Sequence, residues 1–169
     1  EIWTQMNGKV DWFVTGGSTG GTITGTMRYL REQDKNVKAL LADPIGSVYH
    51  GYFKNGCINP SDVGVYQTEG VGEDHLTKCM DFSIVNDSVQ YNDSNAFGMV
   101  RELANAEGLF VGPSAGGNLF AVRQLVNNLQ GPARIATVLQ ETIINRWHGA
   151  IERTIRFDGA GKAQSMADF

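Results

Sequence analysis

Short, continuous apolar runs alternate along the chain with stretches in which apolar residues recur at helical spacing. The runs at 10–14 and 37–42 are near-continuously apolar, which is typical of buried parallel strands. Between them, Ile23, Met27 and Leu30 fall at i, i+4 and i+7, the spacing of one helix face. A strand, a helix and a second strand in this order predict a βαβ unit with a right-handed crossover.

The remaining apolar pattern extends this unit to a larger domain. Three more short runs predict strands, at 82–85, 109–111 and 134–139. Two more helices are predicted, with apolar stripes of Phe97, Val100 and Ala104 in the first and of Leu119, Val122 and Val126 in the second. Asn92 or Asp93 can cap the first of these helices, and Gly108 ends it. The fold class is therefore expected to be α/β, with an open, mostly parallel twisted sheet and helices on both faces. Residues 1–157 are expected to form this domain, and 158–169 a flexible tail.

A glycine-rich loop, residues 15–25, joins the first predicted strand to the first helix. Glycines let the backbone approach a ligand closely, and the N–H groups at the start of a helix have no partner within the helix. Together with the helix dipole, these groups form a site for an anion such as a phosphate, to which the Thr19 and Thr22 hydroxyls could also donate. The other interpretation is a tight turn that binds nothing.

Two common phosphate motifs fit this loop poorly. A P-loop requires Lys and then Ser or Thr after its last glycine, whereas Thr22 follows Gly21 here. The dinucleotide fingerprint requires a second glycine where this chain has Ser18, although an acidic residue, Asp43, does follow at about the 20-residue distance that the fingerprint expects. A dinucleotide site is therefore disfavoured but stays open.

The loop Ser18–Gly25 resembles the phosphate cradle G-T-G-G-T-I-T-G of the fold-type II pyridoxal-phosphate enzymes, which include cystathionine beta-synthase and cysteine synthase. Its one departure is Ser18 in place of the first glycine of the motif. The resemblance implies that pyridoxal 5'-phosphate is the cofactor. It also implies that the loop binds the cofactor phosphate, through Ser18, Thr19, Gly20, Gly21 and Thr22.

A second glycine turn, Gly112–Gly117, again joins a short apolar run to a helix. Turns after the carboxyl ends of parallel strands line the ligand crevice of such sheets, so both turns are expected at one edge. The turn also matches the G-x-S-x-G elbow of hydrolases, with Ser114 as the nucleophile. A hydrolase would then use His148 as its base and Glu141 or Glu152 as its acid.

Residues 107–116 resemble the E-G-L-x-x-G-G-S-A-G segment of the same pyridoxal-phosphate family. In that family the serine hydroxyl contacts the pyridine nitrogen of the cofactor, and the resemblance gives this role to Ser114. A neutral hydroxyl does not hold a proton on the ring nitrogen, so the ring is a weaker electron sink. The resemblance thus implies β-elimination and β-replacement rather than transamination.

Residues 44–80 show little periodicity but contain several aromatic residues, which predicts a functional loop rather than disorder. Within this stretch, Glu69–Asp74 reads either as a glycine turn before an acidic helix start or as a cofactor contact. The segment resembles E-G-I-G-x-D of the cystathionine beta-synthase-like enzymes, which lies beside the cofactor and here includes Gly70. The resemblance leans toward cystathionine beta-synthase, which joins L-serine to homocysteine, with cysteine synthase (O-acetylserine and sulfide) as the alternative.

The resemblance covers residues 9–146, but it does not include the lysine that forms a Schiff base with the cofactor in this family. The family carries this lysine in an S-x-K-D-R-like context. None of the six lysines has that setting: Lys9, Lys35, Lys38, Lys54, Lys78 and Lys162. The first residue, Glu1, is also not Met, so we expect this chain to be about the C-terminal half of such an enzyme and not catalytic alone. A pyridoxal-phosphate-binding protein without turnover is the other interpretation.

The amino-acid composition indicates which classes of partner are not expected. The chain has 169 residues, a formal net charge of −4 and no basic cluster, so neither nucleic acid nor an anionic membrane surface is an expected partner. Cys57 and Cys79 form no C-x-x-C motif and are expected to be reduced, as in a cytoplasmic protein. The three histidines lack metal-ligand spacing, so no metal is expected. The resemblance adds small amino-acid substrates and a homodimer.

Overall fold

A computed structural model describes residues 1–140, 156–157 and 163–164. Four strands form a parallel sheet: β1 (Trp12–Gly16), β2 (Lys38–Pro44), β3 (Asp87–Tyr91) and β4 (Ile135–Thr137). Their order in the sheet is β3–β2–β1–β4. The α-helices of the described residues are α1 (Ile2–Gln5), α2 (Gly21–Gln33), α3 (Tyr49–Asn55), α4 (Asp93–Glu107) and α5 (Pro113–Asn128).

Successive residues of the central strands pack on opposite faces of the sheet. Phe13 of β1 and Leu41 of β2 belong to one core cluster, together with Ile23, Met27 and Leu30 of α2. A second cluster contains Val14, Leu40 and Ala42 from the same strands and Ala121 and Val122 from α5. Because helices cover both faces, the middle of each central strand is apolar on both sides, and this explains the apolar runs in the sequence. The predicted fold class and the predicted face of α2 are confirmed.

The prediction of a strand at 82–85 is wrong. Residues Phe82–Ile84 form a 3-10 turn, which Asp81 caps by accepting the Ser83 N–H at 3.1 Å. The apolar run is real, but Ile84 and Val85 insert into the core beside α2 instead of pairing with a strand. The strand that does form is β3, which lies at the edge of the described sheet and is exposed at Asp87 and Gln90, so it carries no continuous apolar run.

The predicted buried stripe of α4 is displaced by one residue. Its buried residues are Ala96, Met99 and Leu103, whereas the predicted residues, Phe97, Val100 and Ala104, are half-buried. At the contact between α4 and α5, a Cβ added to Gly116 would lie 2.9 Å from the Ala96 carbonyl carbon, so α5 lies close to the backbone of α4 at Ala96. The buried face of α4 is therefore the one that contains Ala96, Met99 and Leu103.

Four further predictions concern described residues. Residues 109–111 form no strand of the described sheet, and α3 occupies part of the stretch that was predicted to be irregular. In α5, Leu119 and Val122 are buried as predicted, whereas Val126 is half-buried. Within the predicted tail, Ala163–Gln164 pairs in antiparallel fashion with Arg156–Phe157, and the other tail residues lie outside the described part of the chain. None of the described helices has the length and apolar character needed to cross a membrane.

Candidate functional site

The glycine-rich loop lies between the carboxyl end of β1 and the first turn of α2. Gly20 is the N-cap residue of α2 and has a φ of +87°, in the left-handed region that favours glycine. A Cβ at this position would also lie 2.5 Å from the backbone nitrogen of Met80. The loop therefore packs directly on the backbone of the segment around residue 80, and only glycine fits at its tightest point.

The N–H groups of this loop face no protein acceptor. In the described part of the chain, the backbone N–H groups of residues 18–22 donate no hydrogen bond. The N-cap residue Gly20 provides no side-chain acceptor, and the first turn of α2 contains no acidic residue. Free donors at the positive end of a helix dipole suit a phosphate, so the backbone of this loop fits the cofactor group predicted from the sequence.

The segment around Gly70 lies against the loop. Gly70 and Gly72 have φ values of +76° and +73°, and the Gly72 N–H donates to the Gly17 carbonyl at 2.6 Å. The Ser18 hydroxyl donates to the Glu73 carboxylate, also at 2.6 Å. Ser18 therefore uses its hydroxyl within the protein, and only its N–H is left for a ligand.

The second turn begins α5 and reaches the same edge of the sheet. Gly112 is the N-cap residue, Pro113 follows it, and Ser114 is buried in the first turn. The Gly112 N–H donates to the Gln140 carbonyl at 3.0 Å, just beyond the carboxyl end of β4. Because β4 pairs in parallel with β1, the start of α5 and the glycine-rich loop lie beyond the carboxyl ends of neighbouring strands.

Asn118, one turn further along α5, ties the helix to this edge. Its side-chain amide donates to the Val138 carbonyl at 2.9 Å and to the Gln140 side chain at 3.1 Å. Gly117 lets α5 approach β3, since a Cβ there would lie 2.6 Å from the Tyr91 ring. No local sequence pattern marks Asn118 or Tyr91, because only the packing shows what they contact.

Asp43 is a buried acid at the carboxyl end of β2. Its side chain accepts the His50 N–H at 2.9 Å, and burial raises the pKa of Asp43 to about 6, although this hydrogen bond acts in the opposite direction. The other carboxylate oxygen has no partner among the described residues. A dinucleotide-binding acid must reach a ribose from the crevice, whereas Asp43 is enclosed and bound to its own loop, which argues against that alternative.

The hydrolase alternative also fits poorly. A nucleophile elbow exposes its serine on a strained turn, whereas Ser114 is buried and lies in a regular first helical turn. Its proposed partners His148, Glu141 and Glu152 lie outside the described residues.

The lysines of the described residues are all exposed: Lys9, Lys35, Lys38, Lys54 and Lys78. Lys54 pairs with Asp87 at 2.7 Å, and Lys38 lies over the Trp12 ring at 5.3 Å from its centroid. None of the five lies in the buried setting expected of a nucleophilic lysine.

Comparison with known proteins identifies the family of this chain. A family model described as "Pyridoxal-phosphate dependent enzyme" matches residues 1–141. Cysteine synthase 1 of Neurospora crassa is 39% identical over 142 residues, which cover 82% of this chain and 38% of that protein. Cystathionine beta-synthase of Apis mellifera is 32% identical over 145 residues, which cover 86% of this chain and 28% of that protein.

A solved structure shows the same architecture. A hydrogen sulfide-producing enzyme from Fusobacterium nucleatum matches with a TM-score of 0.72 at 28% identity, over 83% of this chain and 46% of that one. The chain thus spans less than half the length of these relatives. The family match, the free N–H groups of the loop and the shared parallel sheet agree, and the chain belongs to the family of pyridoxal-phosphate dependent enzymes.

Proposed function

We propose that this chain binds the phosphate and the ring nitrogen of pyridoxal phosphate in a β-replacement enzyme. The specific reaction proposed is that of cystathionine beta-synthase, in which L-serine and homocysteine give cystathionine and water. The observation that carries the proposal is the row of N–H groups at residues 18–22, at the carboxyl edge of the sheet, which donate to no acceptor among the described residues. It is supported by the family match and by the likeness to both synthases.

Different residues of this chain would bind the phosphate and the ring of the cofactor. The loop N–H groups bind the phosphate dianion, and Gly20 allows the backbone to adopt the conformation that exposes them. Ser114, which is buried at the start of α5, would contact the ring nitrogen through a neutral hydroxyl and so would leave that nitrogen without a bound proton. When bound, the cofactor withdraws electrons from the α-carbon of an amino acid, which lets a β-substituent leave and be replaced.

Sequence features favour cystathionine beta-synthase over cysteine synthase in this proposal. The segment Glu69–Asp74 resembles that of the cystathionine beta-synthase-like enzymes, and in the structure it lies directly against the phosphate loop through Gly72 and Glu73. Cysteine synthase is the second candidate, because the identity with the Neurospora crassa cysteine synthase 1 is 39%. A cofactor-binding protein without turnover is the third, and the exposure of the five described lysines supports it.

The test uses the protein isolated from its natural source. Bound pyridoxal phosphate would be identified from its absorbance, and product formation would be followed with L-serine plus homocysteine and, in parallel, with O-acetylserine plus sulfide. Faster formation of cystathionine from the first pair supports the proposal. Faster formation of cysteine from the second pair transfers the assignment to cysteine synthase, bound cofactor without product indicates a binding protein, and absence of the cofactor contradicts all three.

A further inference from the structure

The Ser18 and Thr19 carbonyl groups of the glycine-rich loop accept hydrogen bonds from outside the loop. The Tyr49 hydroxyl donates to the Ser18 carbonyl, and the Thr77 hydroxyl donates to the Thr19 carbonyl at 2.9 Å. The Thr77 hydroxyl also lies 3.0 Å from the Ser18 carbonyl and 2.8 Å from the Tyr49 hydroxyl. Two hydroxyl groups from outside the loop thus contact two consecutive peptide groups within it.

These contacts fix the direction of the N–H groups that follow. In a planar trans peptide, the carbonyl of one residue and the N–H of the next point in opposite directions. A hydrogen bond that holds the Ser18 carbonyl therefore directs the Thr19 N–H to the opposite side, and one that holds the Thr19 carbonyl does the same for the Gly20 N–H. Both N–H groups belong to the set without a protein acceptor among the described residues.

Tyr49 is well placed to hold the loop rigidly. Its side chain is fully buried, and its ring meets the ring of Phe82 edge-on, with centroids 5.3 Å apart and planes at 85°. The next residue, His50, is held through its N–H by the buried Asp43 carboxylate. Burial raises the pKa of the Tyr49 phenol, so this hydroxyl keeps its proton and stays a donor at neutral pH.

We propose that Tyr49 and Thr77 are positioning residues that aim the Thr19 and Gly20 N–H groups at the phosphate of the cofactor. The inference rests on the proposed function and adds two residues that need not touch the cofactor. It also explains why α3 and the segment after Asp74 pack against the loop, since each provides one of the two hydroxyls.

The test is the affinity of this chain for pyridoxal phosphate, measured by titration in four variants. Tyr49→Phe and Thr77→Val each remove one hydroxyl while keeping the shape of the side chain. Each should weaken binding by about fivefold to tenfold, the value of one neutral hydrogen bond. Thr77→Ser restores the hydroxyl and should bind as the unmodified chain does.

Tyr52→Phe is the matched control, because Tyr52 lies in the same helix and its ring packs on the same Phe82, with centroids 4.8 Å apart. It should leave the affinity unchanged. Urea unfolding of all four variants separates a loss of phosphate binding from a loss of folding. Equal affinity in Tyr49→Phe, Thr77→Val and the unmodified chain would overturn the inference, as would equal weakening by Thr77→Ser or Tyr52→Phe. No binding by the unmodified chain would instead count against the proposed function.

Discussion

The substitution Gly20→Ala tests whether the shape of the phosphate loop depends on glycine. The added Cβ would lower the free energy of unfolding in two independent ways. A non-glycine residue in the left-handed region costs roughly 1–2 kcal/mol, and the Cβ would also lie 2.5 Å from the backbone nitrogen of Met80. Because a backbone atom cannot move aside by changing rotamer, the segment around Met80 must shift, which costs about 1–3 kcal/mol by comparison with overpacked cores.

The two costs together lower the free energy of unfolding by roughly 2–5 kcal/mol, a large part of the 5–15 kcal/mol typical of a domain. Urea unfolding followed by tryptophan fluorescence would measure this change, and a titration with pyridoxal phosphate would show whether the displaced loop still binds the cofactor. We expect both stability and affinity to fall.

Gly25→Ala is the matched control, five residues further along the same helix. A Cβ at Gly25 meets no atom within 4 Å, and the residue is exposed in the interior of α2. This substitution should stabilise the chain by about 0.5–1 kcal/mol, because alanine is the better helix former. If Gly20→Ala unfolds at the same urea concentration as the unmodified chain and binds the cofactor equally well, the account of the loop is wrong.

Three further predictions concern other positions. Asp43 has a pKa of about 6 in the folded state, against an ordinary value of 3.8. The free energy of unfolding should therefore fall as the pH rises from about 4 to about 6, by on the order of 3 kcal/mol in total, because the buried carboxyl group loses its proton. Asp43→Asn should lack this fall. If the free energy of unfolding changes equally with pH in both proteins between pH 4 and 7, the raised pKa of Asp43 is refuted. Asn92→Ala removes the capping box of α4 and should cost about 1 kcal/mol in urea unfolding, whereas an unchanged midpoint would show that the cap is unimportant. Ser114→Asp should hold a proton on the ring nitrogen and slow β-replacement while leaving the cofactor bound, and a full rate in the steady-state assay would refute the role given to Ser114.

The elements that sequence patterns predicted well are those buried on both sides. The runs at 10–14 and 37–42 and the stripe of α2 correspond to β1, β2 and the buried face of the helix, because burial of the sheet on both faces leaves few polar positions in them. The edge strand β3 and the stripe of α4 were missed for the opposite reason. In the described sheet one side of β3 pairs with no strand, and α4 contacts α5 closely where Gly116 faces Ala96.

The candidate site shows the same division. Local motifs place the backbone donors of the glycine-rich loop, since glycine content and the start of a helix are visible in the sequence. The residues that orient those donors are not visible in this way. Tyr49 and Thr77 reach the loop from 31 and 58 residues away along the chain, and no local pattern marks either of them.

The measurement that tests the central claim most directly is the phosphorus NMR spectrum of pyridoxal phosphate added to this chain, recorded from pH 5.5 to 8. The phosphate of the free cofactor changes protonation with a pKa of about 6, as phosphate monoesters do. A phosphate bound by the N–H groups of residues 18–22 is held as the dianion, so we expect a bound resonance whose chemical shift stays constant across this range. A resonance that follows the titration of the free cofactor would show that the loop does not bind the phosphate.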